Sequence, residues 1–190
     1  MHGNEIGLLL FGGKNMPWAP GVFKKLSNEE CCDFLISYMK NSFNSENLMS
    51  VYRDVLHYIV GSMMITEDFR IISKKARQVL EKKKITKLNT SKSYKKKYNL
   101  ILEHTIPVNC VTDYLMNLKP TDISKQKMLK LIDKVRGISL ITTEEDSLLN
   151  TKYDGELKSN LPEDCSIEKM LENNSSIDFG IRYKKVGIEY

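Results

Sequence analysis

Residues 74–98 carry eleven lysines or arginines against one acid, Glu81, a net +10 in a chain whose total formal charge is only +5. The basic residues are Lys74, Lys75, Arg77, Lys82, Lys83, Lys84, Lys87, Lys92, Lys95, Lys96 and Lys97, and the remainder of the chain sums to −5. So charged a stretch belongs at the surface. It divides a helix-patterned first part from a second part that mixes extended and helical patterns. Charge segregated in this way points to a polyanionic partner. Lys82, Lys83, Lys84, Lys87, Lys92, Lys95, Lys96 and Lys97 are candidate phosphate contacts. Tyr94 and Tyr98 flank the last three lysines, an interleaving that suits stacking on bases. Tyrosines packed on the core beside a solvated lysine run are the alternative.

A chain of 190 residues is long enough for one domain with a proper core and not comfortably for two. With 41% hydrophobic and 28% charged residues it has ordinary globular composition. Ser27–Glu30 is a capping-box pattern opening a helix to about Ser42, with Phe34, Leu35, Tyr38 and Met39 at helical spacing. A second helix is predicted over 45–62. A third is predicted from about Thr66, carrying Phe69, Ile72, Ala76, Val79 and Leu80 inward. Residues 85–98 lose periodicity and read as a loop or arm. Beyond them come an extended segment at 100–108, a short helix near 110–118, and a helix from about Asp122 to Val135. Ile138–Thr142 reads as a strand, followed by a helix start at Thr143. The chain from Lys152 is polar and loop-rich, with a short helix at 166–172 and an alternating tail (Ile177, Phe179, Ile181, Tyr183, Val186, Ile188, Tyr190) read as one or two strands.

The expected fold is α+β over a single domain, 1–190, with a helix-rich N-terminal half (27–84) and a basic arm (85–98). A chemistry-bearing core (99–152) and a loop-rich tail (153–190) follow. A small, mostly antiparallel sheet is expected from an N-terminal strand at Ile6–Phe11, the 100–108 and 138–142 segments, and the tail, with Trp18 as a packing anchor. No apolar run approaches the roughly 20 residues that cross a bilayer. Ile6–Phe11 lacks a basic leader, so neither a membrane span nor a signal peptide is expected. Cys31, Cys32, Cys110 and Cys165 form no Cys-x-x-Cys pair, which argues against a zinc knuckle and for reduced thiols in a cytoplasmic protein.

Two stretches hold the chemistry. Leu102-Glu-His-Thr-Ile-Pro107 sets a carboxylate beside an imidazole at the end of an extended segment. Leu140-Ile-Thr-Thr-Glu-Glu-Asp146 runs a strand into a helix that bears acids and Asn150. Together they resemble the HNH, or His-Me finger, nucleases, whose core is a two-stranded hairpin followed by a helix. The resemblance covers about 102–150 and departs from the family in the long link between its strands and in Glu-His where Asp-His is commoner. It implies His104 as the general base that activates water. It also implies Glu103 as a ligand for Mg²⁺ or Mn²⁺, with Asp146 or Asn150 as the second ligand. An imidazole titrating near neutrality suits the first role, and hard oxygen donors suit the second.

Asp154-Gly-Glu-Leu-Lys158 contains Glu-x-Lys and resembles the tail of the PD-(D/E)xK nuclease motif. That resemblance implies Asp146 and Glu156 as metal ligands, with Lys158 positioning water. The expected function is therefore a metal-dependent nuclease, restriction- or defence-like, acting on DNA in preference to RNA and dimeric if its sites are palindromic. The rival is a non-catalytic nucleic-acid-binding protein that uses the basic segment 74–98, with Glu103 and His104 merely structural. First-turn acids that complement a helix dipole are the simpler explanation of Glu144, Glu145 and Asp146.

Overall fold

A computed structural model of the chain describes residues 26–42, 49–66, 69–88, 95–172 and 178–190. The expected N-terminal strand, Trp18, Lys92 and Tyr94 lie outside these residues, and Lys95 and Lys96 are described in backbone only. The helices are α1 (Asn28–Ser42), α2 (Met49–Met63), α3 (Lys74–Lys82), α4 (Lys95–Tyr98), α5 (Val108–Met116), α6 (Lys125–Val135), α7 (Thr143–Thr151), α8 (Glu156–Ser159), α9 (Ile167–Glu172) and α10 (Ile181–Val186). Among the described residues three strands, β1 (Phe69–Ile72), β2 (Leu100–His104) and β3 (Ile138–Thr142), form one sheet in the order β1-β3-β2. The fold is α+β and helix-rich around a small sheet, and the sheet is mixed: β1 runs parallel to β3 and β2 antiparallel to it.

Two segments depart from expectation. Phe69–Ile72 is a strand rather than the start of the third helix, and α3 begins only after Ser73, whose hydroxyl accepts from the Ala76 amide as N-cap. The apolar series Phe69, Ile72, Ala76, Val79, Leu80 keeps helical phase across a strand-to-helix junction, so periodicity alone does not reveal the break. The tail likewise forms no strand among its described residues, 178–190, and Ile177 lies outside them. Residues 181–186 form α10, stopped by Gly187 in the left-handed conformation (φ 85°), the usual helix terminator. Tyr183 and Val186 are buried from one helical face, and i, i+3 spacing over six residues is easily mistaken for alternation. The third strand of the sheet thus comes from 69–72, not from the tail.

Every residue of β3 is buried, as befits a central strand covered on both faces. On one face Leu140 and Leu100 pack with Ala76 beneath α3. On the other, Ile141 and Ile71 pack with Leu149, Leu157, Tyr183 and Val186 of α7, α8 and α10. The larger core lies beside the sheet, where α1, α2, α5 and α6 bury Leu35, Met39, Leu56, Ile59, Leu115, Leu131 and Ile132. The two cores are stitched at Gly137, whose amide donates to the Met64 carbonyl and whose carbonyl accepts from Thr105. Among the described residues no helix is long and apolar enough to cross a membrane.

Candidate active site

The pleat of β2 sends successive side chains to opposite faces. Ile101 and Glu103 turn toward α7, α8 and α10. Asp146 stands in the first turn of α7, a helix fixed by a capping box in which the Thr142 hydroxyl accepts from the Glu145 amide and the Glu145 carboxylate accepts from the Thr142 amide. Lys158 is carried by α8, a single turn reached through three successive left-handed residues, Tyr153 (φ 54°), Asp154 (φ 52°) and Gly155 (φ 78°). A Cβ at Gly155 would sit 2.8 Å from the Asn150 carbonyl oxygen, so the reversal that folds α8 back on α7 needs glycine there.

These elements bring Glu103 and Asp146 to one cation. Lys158 Nζ donates to Glu103 Oε1 at 2.7 Å and also to Asp146 Oδ1. The carboxylate side chains are 11% and 16% exposed and the lysine 31%. Burial by itself pulls the Lys158 pKa down. The Glu103 charge and the hydrogen bonds to Asp146 and Glu103 outweigh that, so the pKa is raised above the ordinary lysine value. Asn150 Nδ2 braces the acid from within α7, donating to the Asp146 carbonyl at 2.7 Å and to Oδ2 at 3.3 Å.

Arg182, in α10 and 1% exposed, binds the site from behind. Nε donates to Thr105 O, Nη1 to Leu157 O and Lys158 O, and Nη2 to His104 O and the Tyr183 hydroxyl. The same Nη2 lies 3.3 Å from Glu103 Oε2, a buried oxygen that accepts no hydrogen bond. One guanidinium thus joins the end of β2 to α8 and faces the carboxylate between them. A fully buried arginine persists only when paired in this way.

His104 turns to the other face, where Nε2 lies 2.9 Å from the Gly61 carbonyl of α2. A carbonyl can only accept, so Nε2 carries the proton and Nδ1 is the basic nitrogen of the neutral ring. Burial lowers the His104 pKa more than the Gly61 contact and Glu103 raise it, with His57 and Arg182 lowering it further. His57 is also lowered, first by burial and then by Arg53. Both imidazoles, with Glu103, Lys158, Asn109 and Arg182, line a cleft of about 190 Å³ at the end of β2.

The structure therefore assembles Glu103, Asp146, Asn150 and Lys158, with His104 in the adjoining cleft. It leaves Glu156 out. That residue is exposed on a helix rather than on the strand its motif requires, and residues two apart on a helix do not share a face. The three acids at the start of α7 divide: Glu144 is exposed beside Lys75, Glu145 is buried as a cap that also accepts from the Ser73 hydroxyl at 2.6 Å, and Asp146 alone reaches Lys158. Sequence reasoning misses Arg182, and its signal is slight: one arginine inside the apolar tail pattern.

The chemistry of the donor set suits a hard divalent cation. Two carboxylates converge on one point, now held by an ammonium, and Mg²⁺ is commonly bound by one or two carboxylates that leave room for water and phosphate. Among the described residues no three His, Cys, Asp or Glu side chains gather closely enough to hold a metal unaided.

The basic segment lies elsewhere. Its helix α3 packs on the sheet face opposite Glu103, tied to the end of the chain by Lys74–Glu189 and to α7 by Lys75–Glu144. Lys75, Lys82, Lys83 and Tyr98 line an open cleft of about 460 Å³ there. Tyr98 packs against the Leu100–Leu140 cluster, with Lys97 Nζ 5.0 Å from its ring centroid. Lys84 and Lys87 are exposed beyond α3. Set against known protein families, characterised proteins and solved structures, the chain matches none.

Proposed function

We propose that this protein is a metal-dependent nuclease that hydrolyses phosphodiester bonds, with Glu103 and Asp146 as its carboxylate ligands and DNA as the favoured substrate. One observation carries the proposal: carboxylates from a strand and from a separate helix converge on a single cation, Lys158, beside a cleft that also contains a neutral-leaning histidine. The antiparallel β2–β3 pair running directly into α7 supports the HNH resemblance, in which two strands feed a helix.

In this function Glu103 and Asp146 would hold Mg²⁺ or Mn²⁺, which would neutralise phosphate charge and stabilise the leaving oxygen. His104 is the general base. Its proton is committed at Nε2 to Gly61, its lowered pKa keeps the ring neutral near pH 7, and Nδ1 is left to take a proton from water. Lys158 meets substrate phosphate as a point charge. Arg182 fixes the backbone of both β2 and α8, so that Glu103 and Lys158 stay opposed. Asn150 holds the Asp146 carboxylate in place.

The test is incubation with plasmid DNA and with structured RNA in Mg²⁺, in Mn²⁺ and in EDTA. Wild-type protein is expected to cleave only with metal. Asp146→Asn is expected to abolish cleavage, and His104→Ala to slow it by about 10²-fold. Undiminished cleavage in both variants, or none by wild type under any condition, would reject the assignment. A second function, nucleic-acid binding without catalysis, is favoured by the position of α3 on the opposite sheet face from Glu103. It predicts binding indifferent to metal and to both substitutions.

A further inference from the structure

We propose that Lys158 is a resident cation that keeps the acid pair closed, and that divalent metal and phosphodiester enter together, the substrate phosphate drawing the ammonium away as metal replaces it. The inference rests on the nuclease assignment and names what opens its site.

Charge supplies the first argument. Glu103 and Asp146 carry two negative charges, and Lys158 and Arg182 two positive ones, all within one network of ion pairs. A dication entering this set finds no net attraction, because its ligands are already neutralised in surroundings where Coulomb terms are poorly screened. The pair becomes a metal site only if one cation leaves.

Mobility decides which one. Arg182 is enclosed, and its guanidinium donates to four backbone carbonyls and a phenol. Lys158 is about one-third exposed at the cleft wall, and its ammonium is held by the two carboxylates. A phosphate oxygen offers the same kind of anionic acceptor, and the flexible four-carbon stem can swing to reach it. Glu103 Oε2, buried and without a hydrogen bond, faces Arg182 Nη2 at 3.3 Å, so that side of the carboxylate stays countered when the ammonium leaves. By linkage, metal and substrate must then strengthen each other's binding.

The experiment uses the full chain and follows free Mn²⁺ by electron paramagnetic resonance for wild type, Lys158→Met and the double variant Lys158→Met/Asp146→Asn. Lys158→Met is expected to bind Mn²⁺ about tenfold or more tightly than wild type, with Asp146→Asn removing the gain. Lys158→Gln repeats the comparison with a polar side chain should the methionine variant fold poorly. Fluorescence anisotropy of a labelled phosphorothioate duplex supplies the second arm. Mn²⁺ is expected to tighten its binding several-fold in wild type and to have less effect in Lys158→Met. Unchanged Mn²⁺ affinity on removing Lys158, in a protein that still cleaves with metal, overturns this inference and leaves the nuclease assignment standing. Loss of all Mn²⁺ binding together with absence of cleavage overturns both. Duplex binding indifferent to Mn²⁺ in wild type overturns the coupling.

Discussion

Lys158 and His104 make opposite contributions to stability as pH changes. The Lys158 pKa is raised in the folded chain, so its ion pairs contribute fully below the unfolded lysine value of about 10.4 and are lost as pH rises through the folded value. An alkaline titration of the melting temperature should show this loss in wild type, and Lys158→Met should show a flatter alkaline limb. The folded His104 pKa is lowered from 6.5, so the folded state resists protonation. Stability is complete above about 6.5 and declines as pH falls below it. Chemical denaturation at pH 7 and pH 5 should find a smaller difference in His104→Gln than in wild type. At this scale much of the site is legible in the sequence, because Glu103, Asp146, Asn150, His104 and Lys158 all stand out as residue types. Their grouping is not legible. The acids suggest one motif and the lysine another, and only the reversal at 153–155 joins them. Arg182 stays hidden because a buried arginine looks like any other until its carbonyl partners, drawn from separate segments of the chain, are known.

Elements explain which acids matter. Glu145 receives hydrogen bonds from the Thr142 amide, the Thr142 hydroxyl and the Ser73 hydroxyl, so one carboxylate serves both the β3–α7 junction and the cap of α3. Glu145→Ala should cost about 2 kcal/mol or more in urea denaturation, whereas Glu144→Ala, at a solvent-exposed ion pair, should leave the midpoint unchanged. Gly155→Ala should destabilise by about 1–2 kcal/mol through its left-handed backbone and, on the nuclease proposal, should lower cleavage by displacing α8. The capped helices are the most legible elements: α1 announces itself through Ser27–Glu30, and β3–α7 through an apolar strand pattern that gives way to the acids following Thr143. Strand β1 and helix α10 are obscured because each is only a turn or a few residues long. Their apolar spacing satisfies both the helical and the extended pattern, and only pairing with β3 or packing beneath Glu103 selects between them.

The whole molecule keeps its two charged features on opposite sides of one thin sheet. If the basic segment holds nucleic acid as proposed, neutralising Lys82, Lys83 and Lys84 together should weaken that binding and lower the slope of log affinity against log salt, by up to about 0.9 for each phosphate no longer neutralised. Asp146→Asn should leave that slope unaltered. The α+β class follows from the switch between helical and extended patterns on either side of the basic run, but strand order does not. β1 joins the sheet across a long sequence separation that no local pattern encodes. Consider, finally, how widely the site is spread: Glu103, Asp146, Lys158 and Arg182 come from four elements, the last of them α10. A chain still emerging from the ribosome can pair β2 with β3 while Arg182 remains unsynthesised. Glu103 then faces Asp146 without the guanidinium that fixes the geometry around it. The surroundings of the acid pair are therefore completed only after α10 has been made and has packed behind β2 and α8.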